Sequence, residues 1–234
     1  VFTNHDYEPY ALARDQEVKE LLDKENIEFL SFKDQVIFEQ SEVMKADGTP
    51  YTVFTPYSKI WKQQLTDEHV ESQKSENLLH NLFKVPPLEI PSLQQMGFVE
   101  TEPNVPSIKV NREVIMDYHL TRNFPAIEGT SNLSVHLRFG TISIRELVRT
   151  ANELNPQWLN ELIWREFFMM ILYCFPRVVE NNFSRKYDNL KWRNDKEEFE
   201  KWKKGETGFL LVDAGMRELN ETGFMHNRVR MLVA

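Results

Sequence analysis

The sequence predicts an α/β layer followed by an all-α region, the two joined by a long connection. Residues 1–65 alternate strand-like and helical apolar patterns. Residues 66–110 lose that periodicity and hold Pro86, Pro87, Pro91, Pro103 and Pro106, five of the 11 prolines. From Asn111 onward the apolar spacing is helical to the end. The expected organisation is therefore a partial α/β domain over 1–65, a linker over 66–110 and a partial helical domain over 111–234.

In order, Val1-Phe2-Thr3-Asn4 reads as the end of a strand, with no turn or initiating Met before it. Residues 9–23 have helical spacing, with Tyr10, Ala13, Val18, Leu21 and Leu22 as the inner side. Residues 26–32 and 35–38 alternate like strands or their loops. A turn at Asp47-Gly48-Thr49-Pro50 leads to an extended 52–56 and a helix over 57–65. The proline-rich connection is expected to be ordered by docking rather than by a core of its own. Residues 111–118 start a helix that Arg122-Asn123-Phe124-Pro125 stops. Residues 129–134 open another, running through Phe139 and closed by Gly140. Ser143-Ile144-Arg145-Glu146 has the pattern of a capping box. Residues 158–175 form a long helix ended before Pro176, and 199–204, 211–219 and 224–234 supply further helical pieces. Both termini read as cut.

Composition is that of a globular chain, with 41% hydrophobic and 27% charged residues. No apolar run approaches the roughly 18 residues of a membrane span, and no signal peptide is evident. The single cysteine, Cys174, lies among apolar residues, so a disulfide framework is excluded and a buried, inert thiol is expected. These features imply an intracellular protein; a cytoplasmic monomer is expected. The net charge of −8 argues at first against a nucleic-acid partner. However, residues 1–157 hold 15 Lys and Arg against 24 Asp and Glu, whereas 158–234 hold 13 against 12. The last third could present a local basic surface.

Three stretches could carry chemistry. Trp158 to Phe168 reads WLNELIWREFF. Helical geometry places Glu161, Trp164 and Arg165 toward one side, combining a carboxylate, a flat ring and a fixed cation. The plainer reading is an amphipathic helix with a surface ion pair worth a few tenths of a kcal/mol. GTSNLS, residues 129–134, puts three hydroxyls and free backbone N–H groups at a helix start, a natural seat for phosphate; alternatively Ser131 simply caps the helix. On the last helix Asn227, Arg230 and Met231 share a face. Asn227 is suited to a base edge and Arg228 to a phosphate, or they form the polar side of a buried helix.

Together GTSNLS, WLNELIWREFF and TGFLLVDAGMRELNETGFMHNRVRM resemble the flavin-binding helical domain of the photolyase/cryptochrome family, most closely class I cyclobutane pyrimidine dimer photolyases. YEPYALARD, residues 7–15, and VFTPY, residues 53–57, are similar to the family's Rossmann-like α/β domain. The resemblance covers almost the whole chain and is weakest in the linker.

It implies FAD in the helical domain, with Tyr118 against the cofactor, Thr130, Ser131, Asn132, Leu133 and Ser134 around its pyrophosphate, and Trp158 and Arg165 beside the flavin. Arg230 matches a position paired with an Asp further along the family's sequence. The implied partner is UV-damaged DNA, with a lesion flipped into the pocket. Trp164 would stack on the dimer and a protonated Glu161 would hydrogen-bond its carbonyl edge. Asn227 and Met231 would complete the lesion wall, and Arg122 and Arg228 would take backbone phosphates. Trp192 matches the outer member of an electron-transfer tryptophan chain. Phe224 stands where many relatives have Trp. Ala11 replaces an acidic antenna ligand, which leaves a second chromophore of folate or deazaflavin type unassigned. The implied function is light-driven repair of pyrimidine dimers. A cryptochrome-type photoreceptor is the alternative, disfavoured by Glu161 with Asn227. A piece of this length is expected to hold FAD poorly.

Overall fold

The computed structural model describes residues 1–101 and 105–234. Strands β1 (Phe2–Asn4) and β2 (Leu30–Phe32) pair in parallel, Thr3 opposite Ser31, and helix α1 (Pro9–Lys24) connects them. Pro9 opens α1 in its first turn, where a missing N–H leaves no bond unmade. The expected inner side of α1 is not what the fold uses. Ala11 is its buried residue and Tyr10 is 76% exposed. A two-stranded sheet is too narrow to cover a 16-residue helix.

Residues 35–38 form no strand. Val36, Ile37 and Phe38 are nevertheless buried, and the N–H groups of Ile37 and Phe38 donate to a side chain rather than to a neighbouring strand. Helix α2 (Phe54–Gln64) takes in the residues expected to be extended, because Pro56 sits in a first turn whose N–H groups have no intrahelical partner. A short α3 (Asp67–Val70) follows, capped reciprocally by Thr66 and His69.

The connection beyond α3 contains a 3-10 turn over Ser75–Asn81 and then runs exposed, with Phe83 at 89% and Ile90 at 86% exposure. The expected docking is therefore not seen between 82 and 99. Pro103 lies outside the described residues. The chain is tied down again where His136 Nε2 meets the Pro106 carbonyl at 2.7 Å.

The helical region begins with α4 (Arg112–Met116), capped by Asn111, and α5 (Tyr118–Thr121). It continues through α6 (Ser134–Arg138), α7 (Ile144–Leu154), capped by Ser143, and the 19-residue α8 (Pro156–Cys174). Asp195 caps α9 (Lys196–Lys204). α10 (Leu210–Thr222) ends at Gly223, whose φ of +73° suits a residue without Cβ, and α11 (Asn227–Val233) closes the chain.

One apolar core joins Ile37, Tyr57 and Trp61 of the α/β segment to Ile115, Leu147 and Ile163 of the helical segment. A second, smaller core holds α10 against α11 through Met216, Met225, Val229 and Val233. In that contact a Cβ on Gly215 would lie 2.4 Å from Val229 Cγ1 and 3.2 Å from Val233 Cγ2. Gly215→Ala is expected to destabilise this pair of helices by about 1–3 kcal/mol, read as a lower denaturant midpoint.

Candidate functional site

α8 is placed by Asn155, whose side chain accepts from the N–H groups of Gln157 and Trp158 and donates to the Met116 carbonyl. Advancing about 100° per residue, the helix then divides its side chains among three neighbours. Trp158, Glu161, Leu162, Arg165 and Met169 turn toward a cavity of about 450 Å³. Residues 130–134 and Tyr118 form the opposite wall, and Phe224 closes one edge. The sequence-predicted cofactor residues Tyr118, Thr130, Ser131, Asn132, Leu133, Ser134, Trp158 and Arg165 thus meet around one space, with Glu161 among them.

Asn132 adopts φ +53°, a left-handed conformation that Asn tolerates better than most residues. Ser131 does not cap α6: the cap position is Leu133, which supplies no side-chain hydrogen bond. The hydroxyls of the 130–134 segment therefore line the cavity without serving the helix.

Glu161 is ion-paired with Arg122, and Gln157 Nε2 donates to it at 3.4 Å. The Arg122 guanidinium also lies 5.1 Å from the Tyr118 ring centroid. Arg122, the expected phosphate contact, is held here by a carboxylate and an aromatic face. Burial and, next, the nearby Glu161 charge push the Tyr118 phenol above its ordinary range. Arg165 donates to the carbonyls of Gln35 (2.6 Å) and Leu137 (3.3 Å), and burial lowers its pKa.

Trp164 departs from the expected arrangement. It does not line the cavity but stacks on Phe54 of α2, with centroids 3.6 Å apart and planes 5° from parallel. Phe168 flanks it at 5.5 Å. The reason is angular: three residues beyond Glu161 the helix has turned about 60° short of a full circle. The indole thereby reaches the side where α2 packs.

Asn227, Arg230 and Met231 also stand apart. They are exposed, Met231 at 65%, because α11 spends its inner face on the Val229 and Val233 contact. Arg228 links this helix to the site, its Nε donating to Asn123 Oδ1 at 2.8 Å beside Arg122. Trp192 is 71% exposed and does not line the cavity.

The largest omission from the sequence reading is Glu166. It is 3% exposed and accepts from Ile37 N (2.7 Å), Phe38 N (3.0 Å) and Trp61 Nε1 (2.5 Å). Burial pushes its pKa up to about 7 against the pull of these donors. The signal was present in the sequence, since helical spacing sets Glu166 among Leu159, Ile163 and Met170 on the apolar side.

Fold and cavity define a two-part protein, an α/β segment sharing a core with a helical segment that carries a small-molecule cavity. Residues 158–234 match the family model described as the FAD binding domain of DNA photolyase, and residues 1–76 match that of DNA photolyase. A deoxyribodipyrimidine photo-lyase of Halobacterium salinarum is 34% identical over the whole chain, which covers 53% of that relative. A class III photolyase structure from Agrobacterium tumefaciens superposes with a TM-score of 0.79 at 28% identity, covering all of this chain and 53% of the other. The photolyase structure from Sulfolobus tokodaii, which contains two FAD molecules, gives 0.73 at 30% identity, again over all of this chain and 53% of its own. The chain belongs to the photolyase/cryptochrome family. It spans about half the length of the curated relatives it matches.

Proposed function

We propose that the protein is a light-dependent DNA-repair lyase that binds FAD in the α8 cavity and splits cyclobutane pyrimidine dimers in UV-damaged DNA. The observation that carries this reading is that Glu161 shares one cavity with the hydroxyl-rich 130–134 segment. A space of this volume falls in the range of small-molecule sites, roughly 300–1,000 Å³. Its make-up suits a flat ring joined to a diphosphate. Tyr118, Trp158, Leu133 and Leu162 offer apolar walls, while Thr130, Ser131, Ser134 and Arg165 offer donors.

When bound and reduced, FAD supplies light-driven one-electron donation. The chain's own residues would position the substrate and stabilise developing charge. In its protonated form Glu161, released from Arg122, would donate to the carbonyl edge of an extruded pyrimidine, and Arg122 would then be free for a backbone phosphate. Trp164 offers a stacking surface once Phe54 yields its place against the ring. Asn227 and Met231, exposed on α11, and the half-buried Arg228 of the same helix would meet the damaged strand. Arg230 remains for a partner residue elsewhere in the protein, and the surface position of Trp192 suits the outer end of an electron path.

An antenna chromophore is part of the same proposal, although Ala11 contributes a buried methyl group and no carboxylate. So are the domain limits at 65 and 110, the monomeric state and the cytoplasmic location. Among the described residues no helix is long and apolar enough to cross a membrane.

The test is illumination of the protein with dimer-containing DNA. Glu161→Ala is expected to lower the repair rate by about 10–100-fold, as for loss of one charge-stabilising group. Trp164→Ala should weaken dimer binding by about 1–3 kcal/mol while leaving undamaged duplex binding unchanged. Equal repair by the wild type in darkness and in light would exclude the reading.

A further inference from the structure

The geometry points to Gln35 as a positioning residue for the cavity: the turn it begins grips two consecutive residues of α8 and so fixes the Arg165 guanidinium at the cavity wall. The inference rests on reading that cavity as the FAD site.

The turn from Gln35 to Phe38 presents opposite polarities to neighbouring charges. The Gln35 carbonyl accepts from Arg165 Nη1 at 2.6 Å, while the N–H groups of Ile37 and Phe38 donate to Glu166. The Gln35 side chain adds a second contact, with Oε1 3.5 Å from Arg165 Nη2, and Nε2 donates to the His5 carbonyl at 3.2 Å. His5 follows β1, so the turn is tied to the end of the sheet. The remaining Arg165 contact, to the Leu137 carbonyl, comes from α6 beside the 130–134 segment. A guanidinium on a long stem would otherwise sample many rotamers, and holding it takes partners on more than one side. Here the α/β segment supplies one side and the helical segment the other. Glu166 keeps the turn from peeling away, because both of its carboxylate oxygens are engaged there.

The experiment is FAD titration of the apoprotein, with the visible circular dichroism of the bound flavin, for the wild type, Arg165→Ala, Gln35→Ala and the double variant. Gln35→Ala keeps the main-chain carbonyl that accepts from Arg165 Nη1 but removes the side-chain contact with Nη2 and the tie to the His5 carbonyl, which should weaken FAD binding about fivefold, with an altered flavin dichroism. Because Gln35 acts through Arg165, the double variant should bind no more weakly than Arg165→Ala alone. The apoprotein melting temperature of Gln35→Ala should stay within about 2 °C of the wild type. If Arg165→Ala binds FAD as the wild type does, the cofactor reading of this wall fails. If Arg165→Ala weakens binding but Gln35→Ala does not, or the two losses add in the double variant, the positioning role fails while the cofactor reading stands.

Discussion

Glu166→Ala is expected to destabilise the protein by on the order of 4 kcal/mol, with a matching fall in the denaturant midpoint. Truncation strands three buried donors, the N–H groups of Ile37 and Phe38 and the indole N–H of Trp61. It also opens a void beside Trp61 of α2. Glu166→Gln keeps the volume but sets an amide NH2 against donors, and a loss of about 2 kcal/mol is expected. The pH dependence distinguishes the two effects. Burial raises the Glu166 pKa from 4.5 to about 7, so between these values the folded protein holds a proton that the unfolded chain has released. The contribution of this group is therefore fully present below pH 4.5 and declines as pH rises toward 7, by about 3 kcal/mol at most. Denaturation of the wild type and Glu166→Gln at pH 5 and pH 8 should show the wild-type advantage shrinking at the higher pH. An advantage that grows instead would mean that the three donors outweigh burial.

Gly129→Ala is expected to abolish FAD binding at micromolar cofactor and to destabilise the fold by about 2–3 kcal/mol. A Cβ at this position would sit 2.5 Å from both Cβ and Oγ1 of Thr121 and 3.2 Å from the Thr121 carbonyl carbon. Oγ1 could rotate away, but Cβ and the carbonyl carbon are fixed to the main chain, so the loop itself must move. The loop leads directly into Thr130 and Ser131, and its displacement would pull one wall from the cavity. Thr121→Ala in the same chain would remove Oγ1 and leave its Cβ, so only partial recovery of binding is expected. Flavin fluorescence after gel filtration reads both variants.

The long helix, its cavity-facing side and the hydroxyl-rich turn were legible in the sequence because local rules govern them. Apolar residues at spacings of three and four define α8, although its start at Asn155 and Pro156 falls two residues before the limit read from that spacing. The placement of Glu161 with the 130–134 segment followed from the family resemblance and is realised in the cavity. Trp164 lies outside the cavity because residues i and i+3 share a broad side of a helix but not a direction, and Phe54, more than a hundred residues away in sequence, decides which direction is filled. The 35–38 segment has the alternation of a strand or its loop, and its apolar residues are buried; its hydrogen bonds, however, go to Glu166. Nothing local announces such a partner 128 residues away.

By itself the amino-acid sequence determined the order of the segments and where most helices lie, since propensity, capping and apolar period act within a few residues, while the residues expected around the cavity came from the family resemblance. Only the tertiary structure decided which donors the buried Glu166 satisfies, that Arg122 closes on Glu161, and that α11 turns Asn227 and Met231 outward. Those outcomes depend on which distant surfaces must be covered and which buried polar groups must be paired, and both are properties of the packed chain rather than of any one stretch.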